Sequence, residues 1–211
     1  MDVGQVLGGE GHGLVKRFSV LSLGVMVLLG VVLVLGTSYI IEDFMIERSK
    51  VATVHLAQVG ANMHLTKQDF ASDDFTDRKA VFENYFGMIS TPEIARVKIY
   101  NTDGVIVYSN EERLIGQSFL GNPELEKALE GEVEVEIERN LEEEEENLYE
   151  RGFRGLMEIY IPIAGEDGSV FGAVEVYQVL DPLDRAIGRA QLVVGGLIMG
   201  GLAFLYLSLI G

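Results

Sequence analysis

The chain has 211 residues, no cysteine and a formal net charge of −17. Missing cysteine excludes disulfide staples and thiol chemistry, and so negative a surface suits nucleic acid poorly. Cations, cationic solutes or metal-bridged anionic lipid heads match it better.

Residues 1–17 carry Asp2 and Glu10 against Lys16 and Arg17, so the whole excess charge belongs further along the chain. Gly8 to Gly13 (GGEGHG) reads as a flexible tail. It lacks the preceding strand and the following Lys-Ser/Thr of a phosphate loop, so no chemistry is assigned to it.

Phe18 to Ile41 is an uncharged apolar run. Its ~24 positions make ~36 Å of helix, enough to cross a hydrocarbon core of ~30 Å with some tilt. It exceeds the roughly 7–15 residues of a signal-peptide core, so a retained anchor is the better reading. Lys16 and Arg17 abut it and place residues 1–17 in the cytoplasm as an N-terminal tail.

From Glu42 to about Leu65 the pattern stays helical. Met45, Ala52, Leu56, Val59 and Met63 fall on one face at helical spacings and are expected to pack against a partner helix, in a second chain or in the same domain. The first span therefore continues into the following domain as one helix. A break is expected at Thr66 to Thr76, then a short helix from Asp77 to Ile89 bearing Val81, Phe82, Tyr85 and Phe86. Thr91-Pro92 closes it.

The period then changes from near 3.6 to 2. Arg96 to Tyr100 alternates, Asn101 to Gly104 is a tight-turn signature and Val105 to Ser109 is a second strand. Pro123 to Glu130 reads as a short helix with proline in its first turn and Gly131 as its stop. Strands are expected at Glu132 to Arg139, Leu156 to Ile163 and Val170 to Val179, the last two joined by a Glu166-Asp167-Gly168 turn. Asp181-Pro182 starts a helix feeding a second uncharged run, Ala190 to Gly211. Residues 42–189 therefore form one domain between two membrane spans, 18–41 and 190–211. With the first end inside, that domain is extracytoplasmic and both termini are cytoplasmic.

This order of elements resembles the extracytoplasmic Cache domains, the PAS-like sensors of bacterial receptors. The resemblance rests on Val97 to Ser109 (VKIYNTDGVIVYS), Ile115 to Phe119 (IGQSF), the Pro123 to Gly131 turn-helix, Tyr160 to Ile163 (YIPI) and Gly168 to Tyr177 (GSVFGAVEVY). It covers about Glu42 to Arg189 and implies an α+β fold, a five-stranded antiparallel sheet packed on a long N-terminal helix and flanked by two transmembrane helices. It also implies a ligand-sensing, transmembrane signalling module in the bacterial inner membrane, homodimeric and coupled to a cytoplasmic output. That output is a histidine kinase in the leading reading, and a diguanylate cyclase or chemoreceptor in the alternative. Nothing kinase-like follows the second span, so the chain is expected to be the sensor part of a larger receptor. A reading from a different class is a structural membrane adaptor that recruits an outer-surface partner and binds no solute.

Strand alternation puts Arg96, Lys98 and Tyr100 on one face of the first strand, Glu158 and Tyr160 on one face of the fourth, and Glu175 and Tyr177 on one face of the last. The opposite, aliphatic face is expected to pack on the long helix. Two readings of the polar face stand open. One is a ligand site formed by Arg96, Lys98, Tyr100, Tyr108, Arg113, Glu158, Tyr160 and Tyr177. The other is a solvated face with cross-strand ion pairs. In carboxylate-sensing members of the family, basic groups near the hairpin and before the proline-containing strand hold the ligand. Arg96, Lys98 and Arg113 fit that role, but Glu158, four before Pro162, stands where a cation would be wanted. That disfavours a di- or tricarboxylate and leaves a zwitterionic or cationic small molecule.

Glu142 to Glu146 is a run of five glutamates, read as a solvated hairpin loop; a patch bridged by divalent cations to lipid heads is the alternative. His12, His55 and His64 lack the spacing of a helical metal pair, no cofactor is implied and no catalytic constellation stands out, so the chain is not read as an enzyme. In the second span Gly196 and Gly200 have the spacing that lets membrane helices approach closely, although glycine is also generally enriched there.

Overall fold

The computed structural model describes residues 7–70, 78–139 and 155–210. The expected hairpin loop Glu142 to Glu146 and the expected helix start at Asp77 lie outside these residues, as does most of the break expected up to Thr76. Helices α1 (Leu7–His64), α2 (Lys79–Ile89), α3 (Pro123–Glu130) and α4 (Asp181–Ile210) accompany strands β1 (Ile94–Asn101), β2 (Ile106–Ser109), β3 (Glu134–Arg139), β4 (Gly155–Ala164) and β5 (Val170–Val179). The fold is α+β, with a long N-terminal helix, a five-stranded antiparallel sheet and a C-terminal helix. Two compact units divide it: residues 46–184, and residues 1–45 with 185–211.

The sheet runs in the order β2-β1-β5-β4-β3, every neighbour antiparallel. Alternation dictates its two faces, as antiparallel strands require. Val97, Ile99, Met157, Ile159, Ile161, Val174 and Val176 form one core with Ala57 and Ala61 of α1, Leu65 just after it, and Phe82, Tyr85 and Ile89 of α2. The aliphatic face thus packs on the long helix, as the pattern predicts. Two of its contacts need glycine. A Cβ on Gly60 would lie 3.1 Å from both Ile89 and Tyr85, so α1 meets α2 there with no side chain between them. A Cβ on Gly172 would lie 2.6 Å from the Tyr100 carbonyl and from the Phe70 ring, which rests over β5.

That packing uses only part of the expected helix stripe, Leu56 above all. Within the chain, α1 faces the sheet and α2 through Thr53, Ala57, Gly60 and Ala61, joined by half-buried Ile46, Val54 and Leu56. Met45 and Val59 are half-buried, while Ala52 and Met63 are exposed. A helix lying this close to a sheet and a second helix selects its smallest residues for the seam, and an apolar-versus-charged pattern weights large side chains instead.

α1 also begins at Leu7, so Gly8 to Gly13, read as a flexible tail, are helical. Each glycine opposes this by ~1 kcal/mol, but extending an existing helix adds one hydrogen bond per residue without a new nucleus. The other boundaries follow local signals. Asn122 caps α3 through its side-chain oxygen, which accepts from the Leu125 N–H at 2.7 Å, Pro123 takes the first turn, and Gly131 ends the helix at φ 105°.

In the second unit α1 and α4 run side by side. Gln191 donates to the Ser38 carbonyl at 3.2 Å and Tyr206 to the Ser19 carbonyl at 3.3 Å. The tight spot is Gly30, whose Cβ would lie 3.0 Å from Leu202 and Met199; Gly195 meets Val34 at an ordinary contact distance of 3.7 Å. Gly196 and Gly200, whose spacing permits close helix approach, have nothing of the same chain within 4 Å of their Cβ positions. Both helices are long and apolar enough to cross a membrane, and Leu21, Leu28, Leu35, Leu192, Leu197 and Phe204 are 66–76% exposed. A run of such side chains left in water forfeits ~1.5–3 kcal/mol each, so lipid is the solvent that fits these surfaces.

Candidate functional site

The polar sheet face holds the chemistry, and it is covered. Register places Lys98 opposite Glu175 and Arg96 opposite Tyr177 across β1 and β5, and Tyr160 opposite Glu175 and Glu158 opposite Tyr177 across β4 and β5. Cross-strand partners share a face, so six polar side chains converge on the centre of the sheet. α3 and the segment before it lie over the upper part: Leu125, Ala128, Ile115 and Phe119 pack with Tyr100, Ile106, Tyr160 and Ala173. Lys98, Tyr100, Glu158, Tyr160, Glu175 and Tyr177 are all buried. The solvated-face reading therefore does not hold for them.

Glu175 is the hub. Its two carboxylate oxygens take the Lys98 ammonium at 3.1 and 3.2 Å, and Tyr100 donates to it in a short hydrogen bond. Lys98 also donates to the Tyr177 hydroxyl and sits 4.5 Å from the centroid of that ring and 5.2 Å from that of Phe119. A cation over two aromatic faces gains from their quadrupoles, more so once desolvated. Tyr160 donates to Glu158 at 3.4 Å and packs with Leu125 and Ala128 of the covering helix. Burial first, and the Glu175 charge second, push the phenol pKa values of Tyr100, Tyr160 and Tyr177 up, so all three stay protonated and able to donate.

The remaining expected residues divide. Half-buried Arg96 places its guanidinium carbon 5.5 Å from the Tyr177 ring centroid and so joins the edge of the cluster. Arg113 does not reach it; its exposed guanidinium pairs with Glu111 at 2.8 Å. Tyr108 is on the other face. Its register partner is Ile99, and a shift between Ile99 and Tyr100 pairs Tyr100 with Ile106, leaving Val107 between the two paired positions. Val107 and Tyr108 consequently both enter the helix-side core, where Tyr108 stacks on Phe82 at 5.9 Å. Tyr108 also lines a depression of about 290 Å³ with Lys79, Glu83, Phe86 and Glu112. Alternation alone cannot see a bulge, which is why one tyrosine of the expected four is displaced.

Alternation puts Glu175 on the polar face; its central position follows only from the β1-β5-β4 order. Phe119 is a further site residue outside the expected ones. Its signal is the glycine-punctuated stretch Gly116 to Gly121, whose two glycines adopt φ 86° and 98° and turn Phe119 onto the sheet. Among the described residues no cluster of three or more metal-ligating side chains occurs.

No protein-family model matches the sequence, and no curated protein matches it. Solved structures with a similar fold include the sensor domain of DcuS from E. coli, at 18% identity over 71% of this chain and 98% of that one, with a TM-score of 0.43. An extracellular ligand binding receptor from Desulfohalobium retbaense is 15% identical over 65% of this chain and 24% of that one, with a TM-score of 0.43. The extracellular domain of rpHK1S-Z16, a protein named as a histidine kinase, is 12% identical over 70% of this chain and 56% of that one, with a TM-score of 0.41.

Proposed function

We propose that this chain is the extracytoplasmic ligand-sensing and transmembrane signalling module of a sensor histidine kinase, and that the covered polar face of its sheet is the ligand site. The observation that carries the reading is the buried network around Glu175. A buried ion pair repays its desolvation only with excellent geometry and satisfied hydrogen bonds, and well-packed aliphatic residues of the same volume are often as stabilising, so a sheet face that only had to be filled would do so with aliphatic residues. Here one ion pair and three phenols are enclosed under a short helix and a segment with left-handed glycines at both ends. A structural adaptor has no use for such an interior.

The module is inserted with both termini in the cytoplasm, supported by Lys16 and Arg17 beside the first apolar run. It acts as a homodimer, supported by Ala52 and Met63, apolar residues left exposed on α1. A kinase output, rather than a cyclase or chemoreceptor, rests on the motif resemblance. Ligand binding at the sheet is read out because β5 continues directly into α4 and α1 leads into the same core. Only a ligand that binds one arrangement better than the other can bias that output.

The test is a thermal-shift screen of the full chain in detergent against amino acids, carboxylates, polyamines and divalent cations. A ligand raises the unfolding midpoint in proportion to the logarithm of its concentration. Tyr160→Ala is expected to abolish the rise while the variant remains folded. A variant that responds as the parent does removes this face as the site.

A further inference from the structure

We infer that the ligand recognised by this face carries a small alkylammonium group, and that Lys98 occupies the ammonium subsite in the ligand-free protein as a tethered substitute. The inference deepens the sensing reading and rests on it. Its basis is the surroundings of the Lys98 Nζ: both Glu175 oxygens within 3.2 Å, the Tyr177 hydroxyl, and two aromatic rings at 4.5 and 5.2 Å. A carboxylate beneath and aromatic faces around it is the arrangement that recognises an organic cation. The carboxylate at the centre of this cage opposes an anion. A ligand carboxylate would be set against Glu175, with Glu158 and its Tyr160 partner on the neighbouring strand.

The cage also has a way to open. Phe119, one of its walls, lies on a segment between Gly116 and Gly121, both at positive φ. That segment is attached by backbone hydrogen bonds to residues beside the first hairpin turn: Gly116 donates to Ile106, Ile106 to Gln117 and Phe119 to Gly104. An incoming ammonium takes the Glu175 carboxylate, and the Lys98 side chain, released, swings out past Phe119. The exchange conserves charge at Glu175, so no buried carboxylate is left unpaired at either end point. The segment over Lys98 therefore reports occupancy.

Two measurements test this on the full chain in detergent. Lys98→Ala removes the atoms of a propylammonium, so propylammonium chloride is expected to raise the unfolding midpoint of that variant more than that of the parent. Sodium propionate at equal concentration is expected to raise neither, and Lys98→Ala/Glu175→Gln to lose the response. In the parent, hydrogen–deuterium exchange of residues 115–122 is expected to change with propylammonium and not with sodium chloride at equal concentration, which covers the case where Lys98→Ala does not fold. Equal midpoint responses in parent and variant, or unchanged exchange in the parent, overturn the assignment. If carboxylates instead give a Tyr160-dependent shift, the ammonium class fails while the sensing site stands. If no compound shifts the midpoint, both fall.

Discussion

Asp69 shows how a single side chain organises a junction. Its carboxylate accepts from the Thr66 N–H at 2.8 Å and the Thr66 hydroxyl at 2.6 Å, and from Arg78 at 2.8 Å, joining the 3₁₀ turn after α1 to the start of α2. Burial alone would raise its pKa; the hydrogen bonds from Thr66 and then the Arg78 guanidinium outweigh that and hold it below the ordinary carboxylate value. A depressed carboxylate pKa means the unfolded chain binds the proton more readily, so this stabilisation is complete above the unfolded pKa near 4 and is lost as pH falls through the lower folded value. Asp69→Asn is expected to cost about 2 kcal/mol at pH 7, in the range of hydrogen bonds to charged groups. In acid titrations of the unfolding midpoint the variant is expected to fall less steeply than the parent below pH ~4. Parallel curves would show that the Asp69 charge contributes nothing.

At the scale of elements, the glycine between α1 and α2 decides the packing. Gly60→Leu must displace Tyr85 or Ile89 and is expected to destabilise by about 1–3 kcal/mol through overpacking, read by chemical denaturation. Gly87→Ala, in α2 with nothing within 4 Å of its Cβ position, is expected to stabilise by about 0.5–1 kcal/mol, since alanine has the better helix propensity. Opposite signs separate a seam from an ordinary helical glycine. The same contrast explains what the sequence could and could not reveal. Strand periodicity located all five strands, and β5 and α3 match the expected boundaries to the residue. The sheet order did not follow, because β1-β5 pairing is non-local and leaves no mark on either strand. Nor did the seam that α1 makes within the chain: Thr53, Ala57, Gly60 and Ala61 are too small to dominate a hydrophobic pattern, yet smallness is what the seam requires. In the site, the face assignment of Lys98, Tyr100, Glu158, Tyr160 and Tyr177 was legible from alternation. Tyr108 was not, since one unpaired residue in β2 reverses its side.

At the scale of the molecule, a charge-rich sheet domain is joined to two lipid-suited helices. Reporter fusions after Lys16 and after Glu146 are expected to score cytoplasmic and extracytoplasmic respectively, following the positive residues before the first span. The reverse orientation would remove extracytoplasmic sensing altogether. The central claim is that occupancy at the covered face alters the pairing of the spans. Val34 and Gly195 face each other where α1 meets α4, and the chain has no other cysteine to interfere. The direct measurement is the disulfide formation rate of a Val34→Cys/Gly195→Cys variant in membranes, with and without a compound that raises the unfolding midpoint. The account predicts that the rate changes with the compound, and that adding Tyr160→Ala abolishes the change. A compound that binds, with an identical cross-linking rate in its presence and absence, would contradict it.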